Sequence, residues 1–257
     1  MECNALVTGG TRGIGLAAAR GLARAGCGRI ALFSRGTRGV EEALEELKRL
    51  GSTPVFIRGD LRDKGSVEDL IPGILGEWGR LDVVAMSYGN PSCEPCTLEE
   101  SGWDDWVEAA QLYIASTGVI ARDLVRYNPV KATLLVFSSF TVNEPHPPLF
   151  IADTIRLGLK ALVRVLARMH PHRIRPLLVE LGSFKTPGAI ETISRLARLE
   201  GVGVEEYWRS RVEGLSPLGR SGGLEELEEL VALLVKAPEY LTGAVVRFDG
   251  ASTGCVC

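Results

Sequence analysis

Side-chain amides are nearly missing from this chain, which has one glutamine and four asparagines in 257 residues. Such depletion of heat-labile residues marks either a heat-adapted protein or a bias in base composition, and the preference for arginine over lysine fits both origins. Histidine is scarce too, at three residues, and His170 and His172 flank Pro171 in a turn, where they read as surface groups rather than ligands. No run approaches the roughly 18 consecutive apolar residues of a membrane-crossing helix. Met1-Glu2-Cys3-Asn4 lacks the basic-then-apolar pattern of a leader. A soluble protein of the cytoplasm is therefore expected. There is no excess of positive charge: the net charge is −3 and the isoelectric point about 5.8. That weighs against nucleic acid or an anionic membrane as principal partner. Repeats, low-complexity tracts and linker-like stretches are absent as well, so residues 1–257 read as one domain.

What is present is core-forming sequence, 46% hydrophobic against 24% charged. Strand-like and helix-like segments alternate throughout. Apolar runs at 6–8, 30–34, 54–58, 82–87, 132–138, 176–181 and 245–248 read as strands. Amphipathic stretches at 13–24, 40–50, 66–78, 151–169 and 224–236 read as helices, and the capping-box pattern Thr97-Leu98-Glu99-Glu100 predicts a long helical region reaching Val125. Strands separated by helices of this length form parallel βαβ units. The expected class is α/β: a doubly wound parallel sheet of about seven strands with helices on both faces. Residues 186–216 interrupt the rhythm with charged, helical sequence and read as a substrate lid.

The chemistry starts at Ala5–Leu16, ALVTGGTRGIGL. A short apolar run leads into Gly9, Gly13 and Gly15, and a helical pattern follows. A strand that turns sharply and lets a diphosphate touch its backbone needs residues without Cβ there. The following helix offers free N–H groups and the positive end of its dipole.

With these residues in view, the chain resembles the short-chain dehydrogenase/reductase family over essentially its whole length. TGGTRGIG matches the family's TGxxxGIG turn. Gly59-Asp60-Leu61 resembles its adenine-binding acid after the third strand, and LGSFKTP at 181–187 resembles its PGxxxTP with Leu for the first Pro. Pro217-Leu218-Gly219-Arg220, Leu241-Thr242-Gly243 and Asp249-Gly250 match its C-terminal signature. The resemblance implies a Rossmann-like fold, a nicotinamide dinucleotide, a small-molecule substrate and a homodimer or homotetramer. It implies cofactor contacts from Gly9, Thr11, Arg12, Gly13, Ile14, Gly15, Ser34, Arg35, Asp60, Leu61, Ser87, Tyr88, Gly89, Arg156 and Thr186. NAD-selective sites place an acid at the end of the second strand for the ribose 2′-OH. Here that strand ends Leu32-Phe33-Ser34-Arg35, and Arg35 with Arg12 suits a 2′-phosphate, so NADP is expected over NAD.

The family's catalytic set is a serine, a tyrosine, a lysine four residues after it, and an asparagine. Ser139 matches the serine, but Ala152 stands at the tyrosine, Arg156 at the lysine and Tyr113 at the asparagine. A register shifted by one turn makes Lys160 the lysine yet still supplies no tyrosine. Tyr127 and Lys131 have the right spacing, but Pro129 between them breaks the helix that pair requires. Arginine stays protonated and is no acid–base catalyst. Substitute proton donors are Tyr113, Tyr88, Asp153 and His146, with Tyr113 favoured by its register. The expected catalytic residues are thus Ser139, Arg156 and Tyr113. The expected activity is an NADP(H)-dependent oxidoreduction of an unspecified carbonyl or alcohol. A non-catalytic NADP-binding sensor or assembly protein is the alternative.

Cys93-Glu94-Pro95-Cys96 and Cys255-Val256-Cys257 are two close cysteine pairs. Reduced thiols, a disulfide and a zinc site all remain open, with reduced thiols the default and no metal expected. Arg156, Lys160, Arg164 and Arg168 form a basic stripe on one helix, expected to meet Asp104, Glu108 or Asp123 across a dimer contact.

Overall fold

A computed structural model describes residues 3–255. Seven parallel strands lie in the order β3-β2-β1-β4-β5-β6-β7. They are β1 (Cys3–Thr8), β2 (Cys27–Ser34), β3 (Thr53–Arg58), β4 (Val83–Met86), β5 (Ala132–Ser139), β6 (Ile174–Leu181) and β7 (Ala244–Phe248). The order reverses between β1 and β4, the switch point at which open α/β sheets hold their ligands. β4 and β6 are buried along their whole length, as strands covered on both faces must be.

On one face, α1 (Gly13–Ala25), α2 (Val40–Arg49) and α9 (Leu224–Lys236) cover a core built around Leu22, Ile30, Leu32, Leu177 and Val231. On the other, α3 (Lys64–Trp78), α4 (Trp103–Ala110), α5 (Ser116–Tyr127) and α6 (Phe150–Met169) enclose Leu6, Ile71, Met86, Leu112, Ile120 and Leu134. α7 (Pro187–Glu200) and α8 (Val204–Tyr207) fill the expected helical interruption around a small cluster of Leu196, Tyr207 and Trp208.

Most elements fall where periodicity places them; α9 coincides with its expected span. The long helical region does not. The Thr97 box closes only a single 3₁₀ turn, Leu98–Glu100, because Ser101 and Gly102 return to extended backbone. The helix proper starts at Trp103, with Asp105 accepting from the Gly102 N–H at 2.8 Å. A five-residue π-turn, Gln111–Ala115, then separates α4 from α5.

β6 begins at Ile174, earlier than expected, because it carries a buried arginine. Arg175 is 4% exposed and donates to the carbonyls of Leu234, Val235 and Ala237, which end α9, and to Thr133 Oγ1. Its guanidinium satisfies carbonyls that a helix C-terminus otherwise leaves orphaned.

Two disulfides correct the default of reduced thiols. Cys3 joins Cys27 across β1 and β2, and Cys93 joins Cys96 in the loop after β4. A disulfide between Cys93 and Cys96 removes both as thiolate ligands for zinc; Cys257 lies outside the described residues.

The basic stripe makes contacts within the chain. Lys160 pairs with the buried Glu180 at 2.7 Å, Arg164 donates to the Gly243 carbonyl at 3.3 Å, and Arg156 turns inward. Glu108 and Asp123, its expected partners, are engaged within the chain by Arg62 and Arg122.

Candidate functional site

A cleft of about 520 Å³ opens at the carboxyl ends of β1, β4, β5 and β6. At one end lies the glycine turn. Gly9 and Gly13 hold φ of +60° and +54°, in the left-handed region that side chains resist. At Gly15 a Cβ would stand 2.2 Å from the Gly9 carbonyl oxygen, so the turn closes onto the helix only without one. No side chain caps the N-terminus of α1 and its first turn holds no acid, whereas Asp63 caps α3 and Thr186 caps α7. The free N–H groups of α1 are thus left for an anion. The turn is tied to the neighbouring strand by Thr8, whose Oγ1 donates to the Ser87 carbonyl and accepts from the Ser87 N–H.

Arg12, Ile14, Arg35, Ser87, Tyr88, Gly89, Ser139, Arg156 and Thr186 all line the cleft, each a residue named from sequence. Thr11, Ser34, Asp60 and Leu61 lie outside its wall, toward the β2–β3 end. Thr11 and Ser34 approach through their hydroxyls at 3.4 Å, and Leu61 is buried. Asp60 faces two arginines, Arg35 and Arg62, each at 3.7 Å. Both Arg12 and Arg35 are exposed, and no acid stands at the end of β2. An adenosine diphosphate moiety with a charged 2′-substituent fits these residues: amides and a helix N-terminus for the pyrophosphate, two arginines for the further phosphate.

The centre of the cleft departs from the sequence reading at one point. Tyr113 is fully buried, sits in the π-turn and does not line the cleft. Its hydroxyl donates to the Gly89 carbonyl at 3.0 Å and accepts from Arg156 Nη2 at 2.7 Å, and its ring lies 4.7 Å from the guanidinium carbon. Burial pushes its hydroxyl pKa up, against the pull of Arg156. In this geometry Tyr113 seats Arg156 rather than facing the cleft. Tyr88 meets the Tyr113 ring edge to face at 5.2 Å and turns its hydroxyl away to Thr117 at 2.5 Å. Arg156 lines the cleft, whereas Lys160 does not and pairs with Glu180.

Sequence reasoning missed Glu94, Thr141, Asn90 and Arg195. Glu94 is 3% exposed, lines the cleft beside Ala152 and accepts the Ala152 N–H at 2.8 Å. Burial raises its carboxyl above the ordinary range, opposed by that hydrogen bond and by Arg156. Its loop is closed by the Cys93–Cys96 bond and gripped by Arg195 of α7, which donates to the carbonyls of Cys93, Glu94 and Pro95. Asn90 joins the same loop to α7 by donating to Thr192 at 2.8 Å. An acid framed by two cysteines, C-E-P-C, was the one available signal. Thr141 touches both Ser139 and Asp153.

Residues 9–253 match a family model described as Enoyl-(Acyl carrier protein) reductase. Glucose 1-dehydrogenase 2 of Bacillus subtilis (strain 168) is 25% identical over 254 residues, covering 97% of this chain and 94% of that protein. L-sorbose reductase from Gluconobacter frateurii, solved with NADPH and L-sorbose, superposes with a TM-score of 0.89 at 24% identity, covering 99% of this chain and 98% of that one. A single-substitution variant of actinorhodin polyketide ketoreductase, solved with NADPH, gives a TM-score of 0.90 at 21% identity, over 99% and 98%.

Proposed function

The chain belongs to the short-chain dehydrogenase/reductase family, and from that premise we propose that it is an NADP(H)-dependent oxidoreductase of a carbonyl or alcohol. The observation that carries this reading is the glycine turn with its uncapped helix, flanked by Arg12 and Arg35, with no acid at the end of β2. When bound, NADPH supplies a hydride to a carbonyl carbon. The chain's own groups do the rest. Gly9, Gly13 and Gly15 shape the turn, and the first N–H groups of α1 hold the pyrophosphate. Arg12 and Arg35 select the 2′-phosphate through charge-assisted hydrogen bonds. Arg156, held by Tyr113, lines the cleft, adds positive charge to it and would hold the nicotinamide ribose. Ser139 orients the substrate oxygen, and α7 with α8 closes the cleft as residues of the expected lid at 186–216.

This reading takes residues 1–257 as one domain, active in the cytoplasm as a homodimer or homotetramer. Leu157, Val165 and Met169 on α6 and Trp103 on α4 are exposed apolar residues that suit such a contact. No helix among the described residues is long and apolar enough to cross a membrane.

The test is a titration of the protein with NADPH and NADH by fluorescence, followed by a panel of carbonyls and alcohols read at the nicotinamide absorbance. Micromolar NADPH binding with turnover of any compound supports the reading; no binding of either dinucleotide ends it. Ala152 at the tyrosine position favours a second reading, a dinucleotide-binding protein without turnover, for which binding across an inert panel would speak.

A further inference from the structure

Behind the serine, where no tyrosine stands, the chain places a buried carboxyl. Asp153 follows Ala152 on α6 and is 1% exposed. Its Oδ1 lies 2.5 Å from Thr141 Oγ1, and Thr141 Oγ1 lies 2.8 Å from Ser139 Oγ, which lines the cleft. Its Oδ2 accepts from the His146 N–H at 3.0 Å.

A hydroxyl carries one proton, so Thr141 donates to only one of its two neighbours. With Asp153 ionised, Thr141 must donate to the carboxylate and Ser139 to Thr141. Ser139 then offers the cleft only lone pairs, the wrong polarity for a carbonyl oxygen. With Asp153 protonated the direction reverses. The carboxyl donates to Thr141 and Thr141 to Ser139, which also accepts the Thr141 N–H at 3.3 Å. The Ser139 proton is then left facing the cleft.

We propose that Asp153, Thr141 and Ser139 form a proton wire that replaces the missing tyrosine, with the Asp153 carboxyl as its source and Ser139 as the catalytic residue at the substrate oxygen. The proposal rests on the reductase reading given above. As the carbonyl carbon is reduced, its π pair moves to oxygen, which bonds to the Ser139 proton. Ser139 Oγ takes the Thr141 proton, and Thr141 Oγ1 takes the one on Asp153 Oδ1. Every O–H bond broken is matched by one formed, and the net transfer is one proton from the carboxyl to the alcohol. When the alcohol leaves, water in the cleft returns a proton along the same three groups.

Three charged or titratable groups face Asp153: Arg156 on its own helix, His146 from the preceding loop and Glu94 from the loop after β4. Arg156, His146 and the hydrogen bonds from Thr141 and the His146 N–H favour the carboxylate, as does the helix N-terminus. Desolvation outweighs them and holds the carboxyl above its ordinary range. No cation pairs with Asp153 among the described residues, which separates it from Glu228, held by Arg20 and Arg24.

The test uses the full chain and infrared spectroscopy of the protonated carboxyl C=O stretch at a pH just above the ordinary carboxylate range, where a carboxyl held above that range keeps its proton. A band is expected that D153N removes, T141V shifts, T141S leaves near its original frequency and E94Q leaves in place. In D153N an amide still donates to Thr141 and accepts from His146, so the loop keeps its contacts while the transferable proton is lost. With NADPH and a reducible carbonyl, D153N and T141V should lower kcat by about 10²–10⁴-fold with NADPH affinity unchanged. T141S should recover to within about tenfold of wild type, because its hydroxyl restores the middle of the wire. Wild-type kcat should fall as pH rises through the raised Asp153 pKa, and D153N should lose that limb.

A spectrum in which D153N removes no protonated-carboxyl band overturns the wire whatever the substrate. So do wild-type rates in both D153N and T141V. NADPH binding with no such band sinks the wire alone, whereas absence of NADPH binding sinks the functional reading and the wire together.

Discussion

Replacing Arg35 with aspartate should invert the choice of dinucleotide, and the size of the inversion follows from where the side chain sits. The Arg35 side chain is 58% exposed, and Asp60 stands 3.7 Å away as a competitor. Its pairing with a 2′-phosphate is therefore an exposed ion pair of about 1 kcal/mol, well below a buried one. The aspartate also sets a negative charge against a phosphate of nearly two charges. At contact distance in water that repulsion adds about 1 kcal/mol per charge. NADPH binding should thus weaken by about 3 kcal/mol, roughly a hundredfold. NADH meets no such repulsion, and its 2′-OH gains an acceptor contributing about 1 kcal/mol. The NADPH-to-NADH affinity ratio should swing by about a thousandfold. Fluorescence titration of both dinucleotides against wild type, R35A and R35D measures it, with R35A separating lost attraction from added repulsion. A ratio in R35D within tenfold of wild type refutes the reasoning, because the phosphate then lies elsewhere.

Gly15→Ala drives a methyl onto the Gly9 carbonyl oxygen at 2.2 Å, where backbone cannot yield, so NADPH affinity should fall more than tenfold with the far-ultraviolet circular dichroism retained. Arg175→Ala strips the carbonyls at the end of α9 of their donor and should cost about 3 kcal/mol in urea unfolding. Cleaving Cys3–Cys27, 24 residues apart in sequence, should lower stability by about 3 kcal/mol, and reduction of the unfolded protein should release four further thiols from the two bridges. Glu94 and Asp153 both have folded pKa values above the ordinary carboxylate range, so the folded state binds more protons than the unfolded one. Their contribution to stability is therefore present at low pH and lost as pH rises from the ordinary carboxylate range through those raised values. Thermal melts of the double variant E94Q/D153N should be flatter across that interval.

The glycine turn at one end of the cleft was legible because its determinants are local. Strand, glycine turn and helix follow one another within Ala5–Leu16, and α9 announces itself through an unbroken amphipathic pattern. What stayed hidden depends on partners far along the chain. Arg175 reads as a boundary until the carbonyls of α9, about 60 residues on, give it a reason to be inside a strand. Glu94 reads as a loop acid until the Ala152 N–H, 58 residues away, meets it. The direction of the Tyr113 hydroxyl depends on Gly89 and Arg156, 24 and 43 residues away, which local sequence does not reveal. The Thr97 capping box was real, and the extended backbone at Ser101 and Gly102 ended its helix within one turn.

The grip of Arg195 on three successive carbonyls has a mechanical corollary. These bonds join α7 to the loop after β4 at one corner of the cleft, so any movement of α7 away from that loop has to break them. Arg195→Ala should unfasten that corner, read as faster amide hydrogen exchange in α7 and in the loop after β4.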